Sequence, residues 1–353
     1  MAVPEITETD IRFYDRYLRD ALPERMMDGH AHVWYADDVL PEGSYPPRRS
    51  AAWAARIAAT NPLADLLETY RRMFPAQSVT PAIFGNIDTS TDVDANNDHV
   101  SADAHAHRLP ALAVTRPTWD AAEFERRIDA GGFAGCKPYL NFADPSIPKD
   151  DIEIFDFLPR HQLEVADRRG WVVMLHVPRP GRLGDPVNLA QLMQIDRDYP
   201  GAQVIVTHIG RAYALADVGD AMATLERSEH LLFDITANTN SDVMRLLLAA
   251  VDPSRVMFGS DLPIFGLRGH RVVEDGRYVN VVPRGLYGDV SDDPSMRETD
   301  DAGSLTMMLY EEVAAFLDAA ESAGLGHDEV TAVFWDNAAR TYGPVAATWT
   351  ARP

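Results

Sequence analysis

Lysine is almost missing from this 353-residue chain: of its 32 basic residues only Lys137 and Lys149 are lysines, and the rest are arginines. Cysteine is scarcer still. The single Cys136 cannot form an intramolecular disulfide, which fits a reducing, cytoplasmic setting. No apolar run approaches the roughly 18 residues of a membrane span, and the best stretches are strand-length. The N-terminal stretch lacks a basic segment followed by an apolar one, so no secretory signal is expected. Positive charge is in deficit, with a formal net charge of -22, which argues against nucleic acid or an anionic membrane as the main partner. A small-molecule substrate is the partner expected instead. What remains is an ordinary globular balance, 46% hydrophobic and 24% charged, which excludes disordered and disulfide-scaffold classes.

Short apolar strands alternate with amphipathic helical segments along most of the chain. The strands are expected at 26–28, 80–84, 111–114, 134–138, 171–175, 203–206, 231–235 and 255–258. Helical patterns fall at 94–107, 120–130, 152–169, 187–198, 212–228, 241–250, 304–320 and 328–342. Such alternation implies parallel strands joined by right-handed crossovers, and eight units suggest a closed α/β barrel, (β/α)8. A doubly wound open sheet would carry a glycine-rich phosphate turn after its first strand, and none follows Met26. The whole chain, 1–353, reads as one barrel domain. Its insertions, 33–78 after strand 1 and 262–302 after strand 8, would both lie over the catalytic face. The first should carry helices around 49–59 and 63–74. The second contains a β-hairpin turning at Asp275-Gly276. Residues 1–20 read as an extra helix outside the barrel.

Chemistry-bearing side chains gather at the strand ends. Strand 1 runs into Asp28-Gly29-His30-Ala31-His32, strand 4 ends at Lys137, strand 5 at His176, strand 6 at His208, and Asp261 follows strand 8. Residues i and i+2 of a strand share a face, so His30 and His32 can chelate one ion in the barrel mouth. His176 and Asp261 arrive at the same rim and can complete the site. Imidazoles with one carboxylate suit zinc, and also manganese or iron, and leave a position open for water. Asp28 could orient a ligating imidazole or simply precede the turn. His105-Ala106-His107 repeats the spacing inside a helical pattern, where the two rings diverge by roughly 200° and cannot share an ion.

The set DGHAH (28–32), GFAGCKP (132–138), MLHVP (174–178), VTHIG (206–210), FGSDLP (258–263) and NAARTY (337–342) resembles the amidohydrolase superfamily. The likeness is to its amidohydrolase-related branch of metal-dependent barrel hydrolases and decarboxylases, similar to aminocarboxymuconate-semialdehyde decarboxylase. It implies His30, His32, His176 and Asp261 as metal ligands, with His208 as a further ligand or catalytic electrophile. A fourth-strand lysine in such enzymes is in some cases carboxylated and bridges two metals; Lys137 could do this, or bind a carboxylate as an ammonium. One ion, zinc first, is favoured over two. The resemblance implies two chemistries. In a hydrolase of an amide, lactone or ester, the metal lowers the pKa of water, Asp261 moves the proton and His208 meets the oxyanion. The alternative is a non-oxidative decarboxylase of an aromatic or enoic acid. The fourth-strand lysine and the leucine of GSDLP lean towards hydrolysis.

Around this centre Arg179 and Arg268 are candidates to receive an anionic substrate, and Tyr139, Asn141 and Trp34 to line the pocket. Asn337 and Arg340 are expected to fasten the last helix to the barrel. A homodimer fits such a barrel, and nothing in the sequence requires one.

Overall fold

The computed structural model describes residues 3–49 and 56–343. Eight strands, β1 (Arg25–His32), β2 (Ser78–Phe84), β3 (Ala111–Val114), β4 (Gly135–Lys137), β5 (Val172–Leu175), β6 (Gln203–Val206), β7 (Leu232–Asp234) and β8 (Val256–Met257), form one sheet in chain order. Every neighbouring pair is parallel. The sheet curls into a barrel, and hydrogen bonds just beyond β8 close it: Gly29 N to Phe258 O at 3.0 Å, Asp261 N to His30 O and His32 N to Leu262 O, both at 2.8 Å. A register shift between Asp28 and Ala31 places a bulge at the end of β1, the kind of irregularity that re-aims a side chain. This is a (β/α)8 barrel.

Apolar side chains alternate between two cores. Met27, Phe84, Leu112, Val172, Met174, Ile205 and Met257 fill the barrel interior, while Ala113, Cys136, Val173 and Val204 face the outer helices. Cys136 is fully buried there, and burial pushes its thiol pKa above the usual range, so it is an inert core residue.

Helices Leu63–Met73, Val93–His107, Ala121–Gly131, Pro186–Asp198, Ser241–Ala250 and Met308–Ala323 lie where periodicity places them. Two segments differ. The pattern over 152–169 splits into Ile154–Phe157 and Arg160–Arg169, because Pro159 removes an N–H and biases Leu158 away from helix. Over 212–228 only short turns and Ala221–Leu225 form: the Asp217 carboxylate captures the Tyr213 and Ala214 N–H groups, and Gly219 has a positive φ. The expected helix around 49–59 falls largely on residues 50–55, outside the described residues. At the N-terminus an α-helix, Glu8–Phe13, continues as a π-helical turn, Tyr14–Leu18.

The second insertion folds as a small sheet. Strands β9 (Arg268–Glu274) and β10 (Arg277–Pro283) form the hairpin, with Asp275 and Gly276 both at positive φ. Two strands the sequence pattern does not announce, β11 (Met296–Thr299) and β12 (Thr306–Met307), extend it on either side. Asn337 donates to the carbonyls of Pro253 and Val256, and Arg340 to that of Ser254, which ties the last helix to the barrel. Among the described residues no helix is long and apolar enough to cross a membrane.

Candidate active site and metal centre

The strand ends open into a cavity of about 360 Å³, within the usual range for small-molecule sites. His30, His32, Lys137, His176, His208 and Asp261 all line it. Three of them converge most closely: one donor atom each from His30, His32 and Asp261 lie within 4.8 Å of one another. Asp261 Oδ1 is 3.1 Å from His32 Nε2 and 3.5 Å from His30 Nε2. His176 and Lys137 stand on the facing wall, outside that tight cluster, and the His176 ring centroid lies 5.4 Å from that of His208. Gly259 allows the packing behind His30: a Cβ there would come within 2.7 Å of His30 Cβ and 2.5 Å of Thr236 Oγ1.

The other ring nitrogens set the tautomers. His32 Nδ1 lies 3.0 Å from the Gly85 carbonyl, which can only accept, so this nitrogen carries the hydrogen. His208 Nδ1 faces the Thr236 carbonyl in the same way at 3.1 Å. His30 Nδ1 lies 2.8 Å from Asp234 Oδ2. Each neutral ring therefore presents a lone pair at Nε2. On His30 and His32 that lone pair meets a carboxylate oxygen, two acceptors face to face. The gap needs a positive charge, a proton or a cation. Burial lowers the pKa of His30 well below its ordinary value, and the neighbouring Lys137 charge adds to the effect. A proton is thus disfavoured on His30, and the donor set fits a divalent cation.

Asp261 itself is an anion. Burial would raise its pKa, and only positive charge at the facing His32, His30 and His208 rings outweighs it and lowers the carboxyl to about 2, a charge that a bound cation would supply where the rings are neutral. The pKa of His176 is also lowered well below normal, first by burial and then by the Arg211 charge, and among the described residues its buried Nδ1 has no hydrogen-bond partner. Lys137 is buried, and desolvation lowers its pKa to about 8 against the pull of Asp234 and Asp261, so near pH 7 it is mostly an ammonium. Its Nζ stands 5.0 Å from the Phe84 ring centroid.

Asp28 does not orient an imidazole. Its Oδ1 accepts from the His30 and Ser260 N–H groups and its Oδ2 from the Tyr70 hydroxyl, so it binds the end of β1 to the segment after β8. The orienting carboxylate is Asp234, at the end of β7, which also accepts from the His208 N–H at 2.5 Å. It escapes a sequence reading because it sits inside an apolar strand pattern with no recognisable motif. Its position at a strand end was the available signal.

The pocket residues divide. Tyr139 and Trp34 line the cavity, Tyr139 with its ring centroid 4.9 Å from His176 and Trp34 at 6.3 Å from His32. Asn141 instead braces two loops, accepting from Arg49 N and donating to Ile87 O. Arg268 is not in the cavity wall: it reaches away to the fully buried Asp10, with Nη2 at 2.6 Å from Oδ2. Arg179 pairs with Asp185 and is likewise outside the wall. The guanidiniums of Arg211 and Arg271 line the cavity in their place, and so does Lys149, so both lysines of the chain do. The signal for Arg271 was hairpin parity, because it pairs with Asn280 on the face that also carries the buried Val282.

Known proteins share this family and fold. The family model described as amidohydrolase matches residues 27–343. Among solved structures, an amidohydrolase from Burkholderia multivorans with bound zinc superposes with a TM-score of 0.56 at 16% identity, covering 90% of this chain and 98% of that one. Amidohydrolase 2 from Bifidobacterium longum subsp. infantis gives 0.52 at 15% identity, covering 91% and 99%. A probable 2-pyrone-4,6-dicarboxylic acid hydrolase from Acinetobacter baumannii, with citric acid bound, gives 0.51 at 16%, covering 90% and 99%. No curated protein matches the sequence.

Proposed function

Since the chain belongs to the amidohydrolase family, we propose that it is a metal-dependent hydrolase that cleaves an amide, lactone or ester bond in a small, anionic organic substrate. The observation that carries this reading is the meeting of Asp261 Oδ1 with the Nε2 atoms of His30 and His32, whose Nδ1 atoms are already committed elsewhere. His30, His32 and Asp261 would hold one ion, zinc for preference, with His176 as the fourth ligand. When bound, that ion supplies Lewis acidity and a lowered water pKa.

The protein's own groups do the rest. Asp261, ionised at neutral pH, accepts the proton of the attacking water and passes it to the leaving group. His208, with Nδ1–H committed to Thr236, presents an acceptor to the cavity, so it serves as a ligand or takes up a proton. Donating a hydrogen bond to an oxyanion would need a second proton on that ring, which burial disfavours. Lys137, whose pKa desolvation lowers to about 8, is, when protonated, a donor that lines the cavity and can meet the developing oxyanion. The acidic 2-pyrone named for the Acinetobacter structure suggests lactones as the first substrates to test.

Decarboxylation is the second reading, favoured by one observation: the cavity wall offers Lys137, Arg211 and Arg271 to a carboxylate. The deciding experiment loads the protein with zinc and assays a panel of acidic lactones and amides beside hydroxybenzoates, following ring opening and carbon dioxide. Lactone or amide cleavage without carbon dioxide supports the proposal. Carbon dioxide release from an aromatic acid, with no hydrolysis, replaces it with the lyase. Metal content with and without bicarbonate during expression tests Lys137: one ion in both fits the ammonium, and two with bicarbonate fit a carbamate.

A further inference from the structure

The accessory sheet places one cation in the cavity wall that the catalytic scheme does not use. Arg271 leaves β9 with only 7% of its surface exposed, and it lines the cavity beside Tyr213 and Tyr278. Its guanidinium carbon stands 4.9 Å from the Tyr213 ring centroid and 4.6 Å from that of Tyr278. Nε donates to Asn280 Oδ1 at 2.9 Å, and Nη1 donates to the Ala237 carbonyl. Both acceptors are neutral. Among the described residues Nη2 has no hydrogen-bond partner, and no carboxylate pairs with the group.

A buried charge without a counter-ion is costly, so such groups are ordinarily paired. Two other arginines of this region obey that rule: Arg182 pairs with Asp217 and Arg48 with Asp88. Glu312, whose field reaches the group, forms no ion pair with it. Its Oε2 accepts from Ala237 N at 2.6 Å, and burial raises its pKa well above the ordinary value. Glu312 instead fixes residue 237, a non-glycine residue at φ 54, whose carbonyl holds Arg271. The guanidinium is thus anchored on two of its three nitrogens, desolvated, stacked and without an ion-pair partner among the described residues, at the edge of a cavity that also holds the proposed metal ligands. Among the described residues Arg211, also in the cavity wall, is likewise met only by backbone carbonyls, those of Val177, Pro178 and Arg179.

We propose that Arg271, carried into the cavity by the accessory sheet, is a specificity-determining residue that binds a carboxylate of the substrate remote from the reacting bond. The proposal rests on the reading of this cavity as the substrate site, and it deepens that reading by requiring a second anionic group on the substrate. The fork geometry of arginine matches a carboxylate, and a lysine would supply only a point charge.

Zinc-loaded protein is titrated by calorimetry, with no turnover required, against dicarboxylates from malonate to benzene-1,3-dicarboxylate, each beside its monoamide. The wild type should bind at least one dicarboxylate more tightly than its monoamide. Arg271→Gln should cut that preference roughly 30-fold or abolish it, and Arg271→Lys should keep part of it. Arg297→Gln, a charge loss on the exposed side of the same sheet, should leave it intact. Thermal unfolding and zinc content establish that each variant is folded and loaded. Should Arg271→Gln misfold, Arg271→Lys alone decides: an undiminished preference there overturns the proposal. An undiminished preference in Arg271→Gln, or no dicarboxylate preference in the wild type, also overturns it. Dicarboxylate preference in a protein that hydrolyses nothing would sink the proposed reaction and leave this receptor standing.

Discussion

The chain spells His-x-His twice, and the two copies have opposite fates. His30 and His32 end a strand, where alternation turns both rings into the barrel mouth and a bulge adjusts the first. His105 and His107 occupy the last turn of helix Val93–His107, both exposed, and His105 Nδ1 meets the Ser101 carbonyl of its own helix. The spacing is identical and the backbone decides the chemistry. Each ring of the first pair also has its far nitrogen committed to the end of another barrel strand, β7 for His30 and β2 for His32. The second pair lacks that support. The lesson is that a two-residue interval carries metal-binding information only once the local period is known.

The sharpest break in this contrast is to remove a ring from the first pair. His32→Ala should abolish stoichiometric metal, as read by elemental analysis, and lower activity by more than the roughly 100-fold that marks the upper range for losing an outer partner. Full metal retention would end the assignment. Next in size is Asp234→Asn, which keeps the shape and removes the charge that orients His30. Metal affinity should weaken about 10- to 100-fold in a chelator competition, with the fold intact by circular dichroism.

A smaller effect follows from pH. The folded-state pKa values of His30 and His176 are lowered, burial being the first cause, so these rings stay neutral as the pH falls through 6.5. Protons then compete with metal only in more acid solution, and zinc content after dialysis should fall with a midpoint below pH 6.5. The same lowering makes the metal-free protein lose stability below pH 6.5, because the unfolded rings take up protons that the folded ones refuse. Denaturant titrations of the metal-free protein at pH 7.5 and 5.5 check the sign. The smallest effect is expected from the second pair: His107→Ala should leave metal and activity unchanged and shift stability within about 0.5 kcal/mol.

Much of this was legible before any coordinates, for reasons particular to the residues. Val173 to Leu175 and Val204 to Val206 are short β-branched and aliphatic runs bounded by polar residues, which few other structures accommodate. The residues proposed to hold a metal could be read because each sits at or just beyond the end of such a run. Other features depended on tertiary partners. Asp217 breaks the helix expected over 212–228 by taking backbone donors that helical periodicity does not reveal. Strands β11 and β12 are short, four and two residues, and exist because the hairpin offers them edges. Arg268 and Arg271 lie three positions apart on one strand and are equally cationic, yet one faces Asp10 and the other the cavity. Choosing between them needs the sheet's orientation on the barrel.

The barrel's seam has a consequence for how the enzyme is made. His30 and His32 belong to the first strand and Asp261 follows the last, and the hydrogen bonds that shut the barrel run between the same segments. The Tyr342 hydroxyl adds a bond to the Gly29 carbonyl at 2.6 Å. A nascent chain emerging from the ribosome therefore carries the two imidazoles without their carboxylate neighbour until more than two hundred further residues have been synthesised, and the cluster assembles only as the barrel closes.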